Sequence, residues 1–81
     1  MPNKEKQMSN IVWTKPGCTF CDMAKSLLEQ KGIEFEERNI GSGWTRDQLM
    51  EAVPTARSLP QIFLDGEYIG TYTHLKTHFN L

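Results

Sequence analysis

The stretch Ile11-Val12-Trp13-Thr14-Lys15-Pro16-Gly17-Cys18-Thr19-Phe20-Cys21 decides the reading of this chain. The apolar run Ile11, Val12 and Trp13 inside Asn10 to Lys15 reads as a short strand, and Pro16-Gly17 ends it. From Thr19 to Lys31 the residues Phe20, Met23, Ala24, Leu27 and Leu28 recur at i, i+3, i+4, i+7 and i+8, the stripe of an amphipathic helix. Lys31 and Gly32 are its stop signals. Both cysteines thus fall at a strand-to-helix junction, with Cys18 at the helix N-terminus and Cys21 in its first turn.

Outward from that junction, Ile33 to Asn39 reads as a second strand, with Ile33 and Phe35 alternating against Glu34 and Glu36. Gly41-Ser42-Gly43 is a loop. Thr45-Arg46-Asp47-Gln48 fits a capping box, with Trp44 and Leu49 as a hydrophobic staple across it. Pro54 should end that helix by Val53. Gln61 to Leu64 is a strand, Asp65-Gly66 a type I′ turn signal, and Glu67 to Gly70 the returning strand. A last helix is expected from about Thr73 to Asn80, with Leu75 and Phe79 at i and i+4. The order β-α-β-α-β-β-α predicts an α/β fold. Its first strand–helix–strand should be a right-handed parallel unit, and the hairpin should extend the same sheet. Trp13 and Trp44 read as packing residues.

At 81 residues the chain has room for one core. That core is expected over residues 10–81, behind a polar, weakly ordered lead at residues 1–9. Nine basic and ten acidic residues leave a net charge of −1, which offers no bulk attraction for nucleic acid or an anionic membrane. No apolar run is long enough to span a bilayer, and no apolar stretch follows the charged N-terminus as a signal peptide requires. A cytoplasmic protein is the default expectation.

Cys18 and Cys21 are the only cysteines, spaced C-x-x-C. A structural disulfide across so short a loop would remove little chain entropy, and cytosolic glutathione would keep it reduced. A metal half-site and a redox dithiol remain. His74 and His78 sit at i, i+4, but most of the chain separates them from Cys21, whereas a C2H2 finger uses about a dozen residues there. No metal site is expected. For redox chemistry the nucleophile is a thiolate. Cys18 meets the unpaired N–H groups and positive end of the helix, with Lys15 three residues back. Cys21 lies deeper, flanked by Phe20 and Met23. Cys18 should attack a disulfide, and Cys21 should then resolve the mixed disulfide.

Over residues 10 to 79 the chain resembles glutaredoxins, on the thioredoxin fold. The resemblance rests on Thr14-Lys15-Pro16-Gly17-Cys18-Thr19-Phe20-Cys21, on Arg57-Ser58-Leu59-Pro60-Gln61-Ile62-Phe63, and on Asp65-Gly66-Glu67-Tyr68-Ile69-Gly70. It implies a four-stranded mixed sheet flanked by helices, and glutathione as reductant and co-substrate with no tightly bound cofactor. It also implies that Cys18 takes the glutathionyl group, that Lys15 and Arg57 hold the glycine carboxylate, and that Phe20 lines the groove. Leu59, before a cis-Pro60, would pair its backbone with the cysteinyl part, and Thr71, Tyr72 and Thr73 would meet the γ-glutamyl end. The chain departs from the family in three places. Thr19-Phe20 replaces Pro-Tyr between the cysteines, which restores a Thr19 N–H that could donate to Cys18. Thr71 replaces the second glycine of a Gly-Gly pair, and Thr73-His74 replaces a polar or acidic pair.

The function implied is that of a glutathione-dependent oxidoreductase, a monomer reducing glutathione mixed disulfides and disulfide-containing proteins. Two alternatives stand beside it. One is an electron donor for ribonucleotide reductase, recycled by thioredoxin reductase. That group carries an aromatic Ser-Gly-Phe segment after the hairpin, where this chain has Gly70-Thr71-Tyr72-Thr73. The other is a carrier of a glutathione-ligated [2Fe–2S] cluster, although the chain lacks the Cys-Gly-Phe-Ser pattern of committed carriers.

Overall fold

Alternation along the first strand, β1 (Ile11–Thr14), sends Val12 and Trp13 to opposite faces of a sheet. A computed structural model describes residues 9–81; the polar lead at residues 1–8 lies outside them. The remaining elements are α1 (Thr19–Gln30), β2 (Glu36–Asn39), α2 (Arg46–Ala52), β3 (Gln61–Leu64), β4 (Glu67–Gly70) and α3 (Tyr72–His78). The sheet runs β2-β1-β3-β4. β1 pairs parallel with β2, Val12 opposite Glu37, and antiparallel with β3, Val12 opposite Ile62. The βαβ unit and the hairpin share one sheet, as the sequence order predicts.

The face that Val12 enters holds the main core: Ala24, Leu27 and Leu28 of α1, Ile62 and Leu64 of β3, and Leu75 of α3. Leu28, Ile62 and Leu75 have no exposed surface. Each such burial contributes about 1.5–3 kcal/mol. Trp13, also buried, takes the other face. Its ring meets Trp44 edge-on at 5.4 Å, and the Arg38 guanidinium lies 4.3 Å from the Trp44 ring. Trp44 therefore packs on the sheet through Trp13 and Arg38, a role the staple reading did not foresee.

α1 begins and ends as its sequence dictates. Beyond the Lys31 cap, the Gly32 N–H bonds to the Glu29 carbonyl and the Ile33 N–H to the Leu28 carbonyl, a Schellman closure. Gly32 sits at φ 72°, which only glycine adopts without strain. Its buried stripe differs from the expected one. Cys21, Ala24, Leu27 and Leu28 face the core, while Phe20 and Met23 are exposed. The helix is rotated so that Cys21, rather than Phe20, begins the apolar face.

β2 also differs, starting at Glu36 rather than Ile33. Parallel pairing with β1 is a backbone matter, and it engages the polar half of the segment from the Glu36 N–H to the Asn10 carbonyl onward. Ile33 and Phe35 instead pack, partly buried, against the main core. The Thr45 capping box is present: the Gln48 N–H donates to Thr45 Oγ1 at 3.1 Å, and the Thr45 N–H donates to Gln48 Oε1 at 2.8 Å. α3 runs from Tyr72 to His78, starting one residue earlier than expected and ending two residues earlier.

Candidate redox site

Cys18 is the N-cap residue of α1. Its backbone is extended, and its sulfur accepts the Cys21 N–H at 3.1 Å. A sulfur therefore stands where Ser, Thr or Asp oxygens usually cap a helix, among unpaired N–H donors that favour a thiolate. The sequence points to Thr19 as the source of such an N–H, and the donor found is Cys21. Cys18 and Cys21 are joined as a disulfide, with Cα atoms 5.2 Å apart, within the ordinary span of such bonds. Cys18 keeps 9% of its surface exposed and Cys21 only 1%. An incoming disulfide thus meets Cys18 first.

The loop before β3 reaches the same point. The Leu59–Pro60 peptide is cis, and the Leu59 carbonyl oxygen lies 3.8 Å from Cys18 Sγ. A cleft beside it is lined by Phe20, Leu59, Pro60, Thr71, Tyr72 and Thr73, together with Ser58. The Phe20 and Tyr72 rings stand 5.9 Å apart across it. Lys15 and Arg57 line a second cleft, which shares Ser58 and Leu59 with the first. The structure thus gathers the expected ligand-holding residues around Leu59, in two clefts rather than one. Sequence reasoning missed Arg46 and Met50, which line the second cleft. Nothing in their local pattern marks a chain that doubles back toward Lys15.

A polar clamp joins β1, α1 and β2. Thr14 Oγ1 donates to Glu37 Oε2 at 2.8 Å, and Lys25 Nζ donates to the same oxygen at 2.9 Å. Burial pushes the Glu37 carboxyl up, but the hydrogen bonds from Lys25 and Thr14 outweigh it and hold the group below its ordinary range. The hydrogen bond to Glu37 raises Lys25 above its ordinary value, against partial desolvation.

His74 turns back on the start of its own helix. Its Nδ1 accepts the Thr71 N–H at 3.1 Å, so the neutral ring carries its proton on Nε2. Gly70 makes this possible. A Cβ there would lie 2.5 Å from His74 Nδ1, and φ at Gly70 is 122°. Among the described residues no three His, Cys, Asp or Glu side chains gather as metal ligands, and no helix is long and apolar enough to cross a membrane.

A cysteine pair at a helix start, joined as a disulfide with Cys18 the more exposed partner, is built for thiol–disulfide exchange. Comparison with known proteins agrees. The family model named Glutaredoxin matches residues 10–69. Glutaredoxin 3 of Escherichia coli K12 is 36% identical over 64 residues, covering 78% of this chain and 77% of its own length. A hybrid peroxiredoxin, hyPrx5 of Haemophilus influenzae, is 40% identical over 78 residues. That match takes in 96% of this chain but only 32% of the relative, so the chain spans about a third of that protein. Among solved structures, glutaredoxin 1 of Francisella tularensis, complexed with cacodylate, superposes with a TM-score of 0.75 at 29% identity, covering 88% of this chain and 91% of the other. A buckwheat glutaredoxin–glutathione complex shares the fold, with a TM-score of 0.74 at 20% identity over 93% of this chain and 72% of the other. With its cysteine pair at the β1–α1 junction and a family match running from the first strand into the last, this chain belongs to the glutaredoxin family.

Proposed function

We propose that the protein is a glutathione-dependent thiol–disulfide oxidoreductase, acting as a monomer on glutathionylated and disulfide-containing proteins. One observation carries the reading: Cys18, the more exposed cysteine, lies against Leu59, which the two clefts share. Glutathione laid past Leu59 would place its sulfur on Cys18. Its glycine carboxylate would face Lys15 and Arg57, and its γ-glutamyl end would face Thr71, Tyr72 and Thr73. Phe20 and Pro60 would line the middle of the groove. The cytosol, where glutathione is kept reduced, suits this chemistry.

Two routes follow from the two sulfurs. On a glutathione mixed disulfide, the Cys18 thiolate attacks the glutathione sulfur and releases the protein thiolate, which takes up a proton. A second glutathione then displaces the first from Cys18 as glutathione disulfide. On a protein disulfide, Cys18 forms a mixed disulfide and releases one substrate thiol. Cys21 loses its proton, attacks Cys18 Sγ and releases the second thiol, leaving the Cys18–Cys21 disulfide. Two glutathiones restore the dithiol, so two electrons and two protons have passed to the substrate.

The test is a paired-reductase assay. Turnover of a disulfide substrate is followed with glutathione plus glutathione reductase, and separately with thioredoxin reductase. Activity only in the first arm supports the proposal. Activity only in the second would instead make the protein a thioredoxin-reductase-dependent donor.

The hybrid peroxiredoxin favours a narrower substrate. That relative is named as a peroxiredoxin. A peroxiredoxin whose thiol is oxidised by hydrogen peroxide and trapped by glutathione is the corresponding substrate here. Peroxide consumption by such an enzyme should rise when this protein is added to glutathione and glutathione reductase.

A further inference from the structure

We propose that the cleft beyond Leu59 is a docking site for an acidic segment of a protein substrate, and that Arg46 is the residue that selects it. The proposal rests on the dithiol route above and adds to it the kind of polypeptide that is preferred.

Three cations, Lys15, Arg46 and Arg57, line this one cleft, and no acidic residue does. They come from three separate places: the end of β1, the first turn of α2, and the loop before β3. The ion pairs among the described residues belong to Lys25 and Arg38, so none of the three cations pairs with a described acidic residue. The clustering is local, because the chain as a whole carries −1. Like charges held around one concavity raise each other's energy, and an occupant with several negative charges relieves that. The single glycine carboxylate of glutathione is met by Lys15 and Arg57 in the proposed function, which leaves Arg46 unused.

The same cleft is also lined by Ile40, Leu49 and Met50, and Met50 is 36% exposed. A lining that mixes apolar and cationic side chains fits a peptide, whose side chains can satisfy both. The cleft also connects to the chemistry through Leu59, whose carbonyl faces Cys18 Sγ. A polypeptide held by its cysteine at Cys18 and running past Leu59 would bring its flanking residues to the cations. On the other side of Leu59 stand the Phe20 and Tyr72 rings, 5.9 Å apart. The preferred substrate therefore has acidic residues on one flank of its reactive cysteine and apolar residues on the other.

The experiment uses the pre-reduced protein without glutathione, so that only the Cys18–Cys21 dithiol supplies electrons. Two synthetic peptides carry the same intramolecular disulfide, flanked by three glutamates in one and three glutamines in the other. Single-turnover rates are measured from the thiol released. The wild-type protein should reduce the acidic peptide about tenfold faster at low salt, and 0.5 M salt should erase most of that preference. Arg46→Gln should cut the preference about 1.4- to fivefold, the range expected for one exposed charge pair. It should leave the glutamine peptide unchanged, and Arg46→Lys should restore most of the loss. The Thr45–Gln48 cap is untouched by these changes, so α2 keeps its start. Equal loss on both peptides would make Arg46 structural and overturn the proposal. An unchanged preference in Arg46→Gln would overturn it as well. Failure to reduce either peptide would reject the dithiol route itself, and the proposal with it.

Discussion

The Cys21 backbone N–H points at Cys18 Sγ from 3.1 Å, so once the disulfide is reduced this N–H is placed to support a thiolate on Cys18. One helical turn supplies both halves of the chemistry. Its N–H groups favour a Cys18 thiolate, and its geometry keeps the Cys21 sulfur within bonding reach. Cys18 should therefore ionise clearly below the ~8.5 of a free thiol. Iodoacetamide labelling against pH, with mass mapping of the adduct, measures this. Labelling should fall on Cys18, and faster labelling of Cys21 would reverse the assigned roles.

Removing the second sulfur should separate the two routes. Cys21→Ser keeps the backbone N–H that serves Cys18 but loses the thiol that attacks it. Activity on small glutathione mixed disulfides should persist within about tenfold, whereas reduction of protein disulfides should stop at a trapped mixed disulfide. Mass spectrometry of the trapped species and parallel kinetics on the two substrates check this. Equal loss on both would show that Cys21 is needed for more than resolution.

The clamp of Thr14, Lys25 and Glu37 predicts a pH dependence of stability. Glu37 is held below its ordinary value of 4.5, so its contribution is present above that pH and is lost as pH falls through its lower folded value. Lys25 is raised above 10.5, so its contribution is complete below that pH and fades as pH rises past it. Both side chains are partly solvated, and at neutral pH the pair contributes only about 0.2–1 kcal/mol. Glu37→Gln should cost that amount at pH 7 and almost nothing near pH 2. Urea denaturation across the acid range reads the difference, and a cost that persisted at pH 2 would place the effect in packing.

Gly70 and His74 should behave as a coupled pair. Gly70→Ala must accept both a left-handed backbone and a Cβ 2.5 Å from the imidazole, a cost of about 2 kcal/mol or more. Adding His74→Ala removes the collision but leaves the backbone strain, so the double variant should be more stable than the sum of the two single costs predicts. A double-mutant cycle by chemical denaturation measures the coupling. Strict additivity would mean that the ring moves aside freely.

Local signals in the sequence determined much of this protein. The Thr45–Gln48 box, the Gly32 stop, the Asp65-Gly66 turn and the cysteine spacing each act over a few residues, and each took its expected form because its physics is short-range. The positions of Cys18 and Cys21 were legible for the same reason, since a helix start and three residues of spacing define them. Tertiary structure decided the rest. Phe20 and Met23 turned outward because Cys21 packed inward, and β2 formed on Glu36 to Asn39 because β1 offered its backbone there. Trp44 settled on Trp13 and Arg38, and His74 closed over Gly70. Arg46 came to line one cleft with Lys15 and Arg57 only through the tertiary fold. No sequence period records such meetings, because they depend on which surfaces the sheet brings together rather than on which residues are neighbours in the chain.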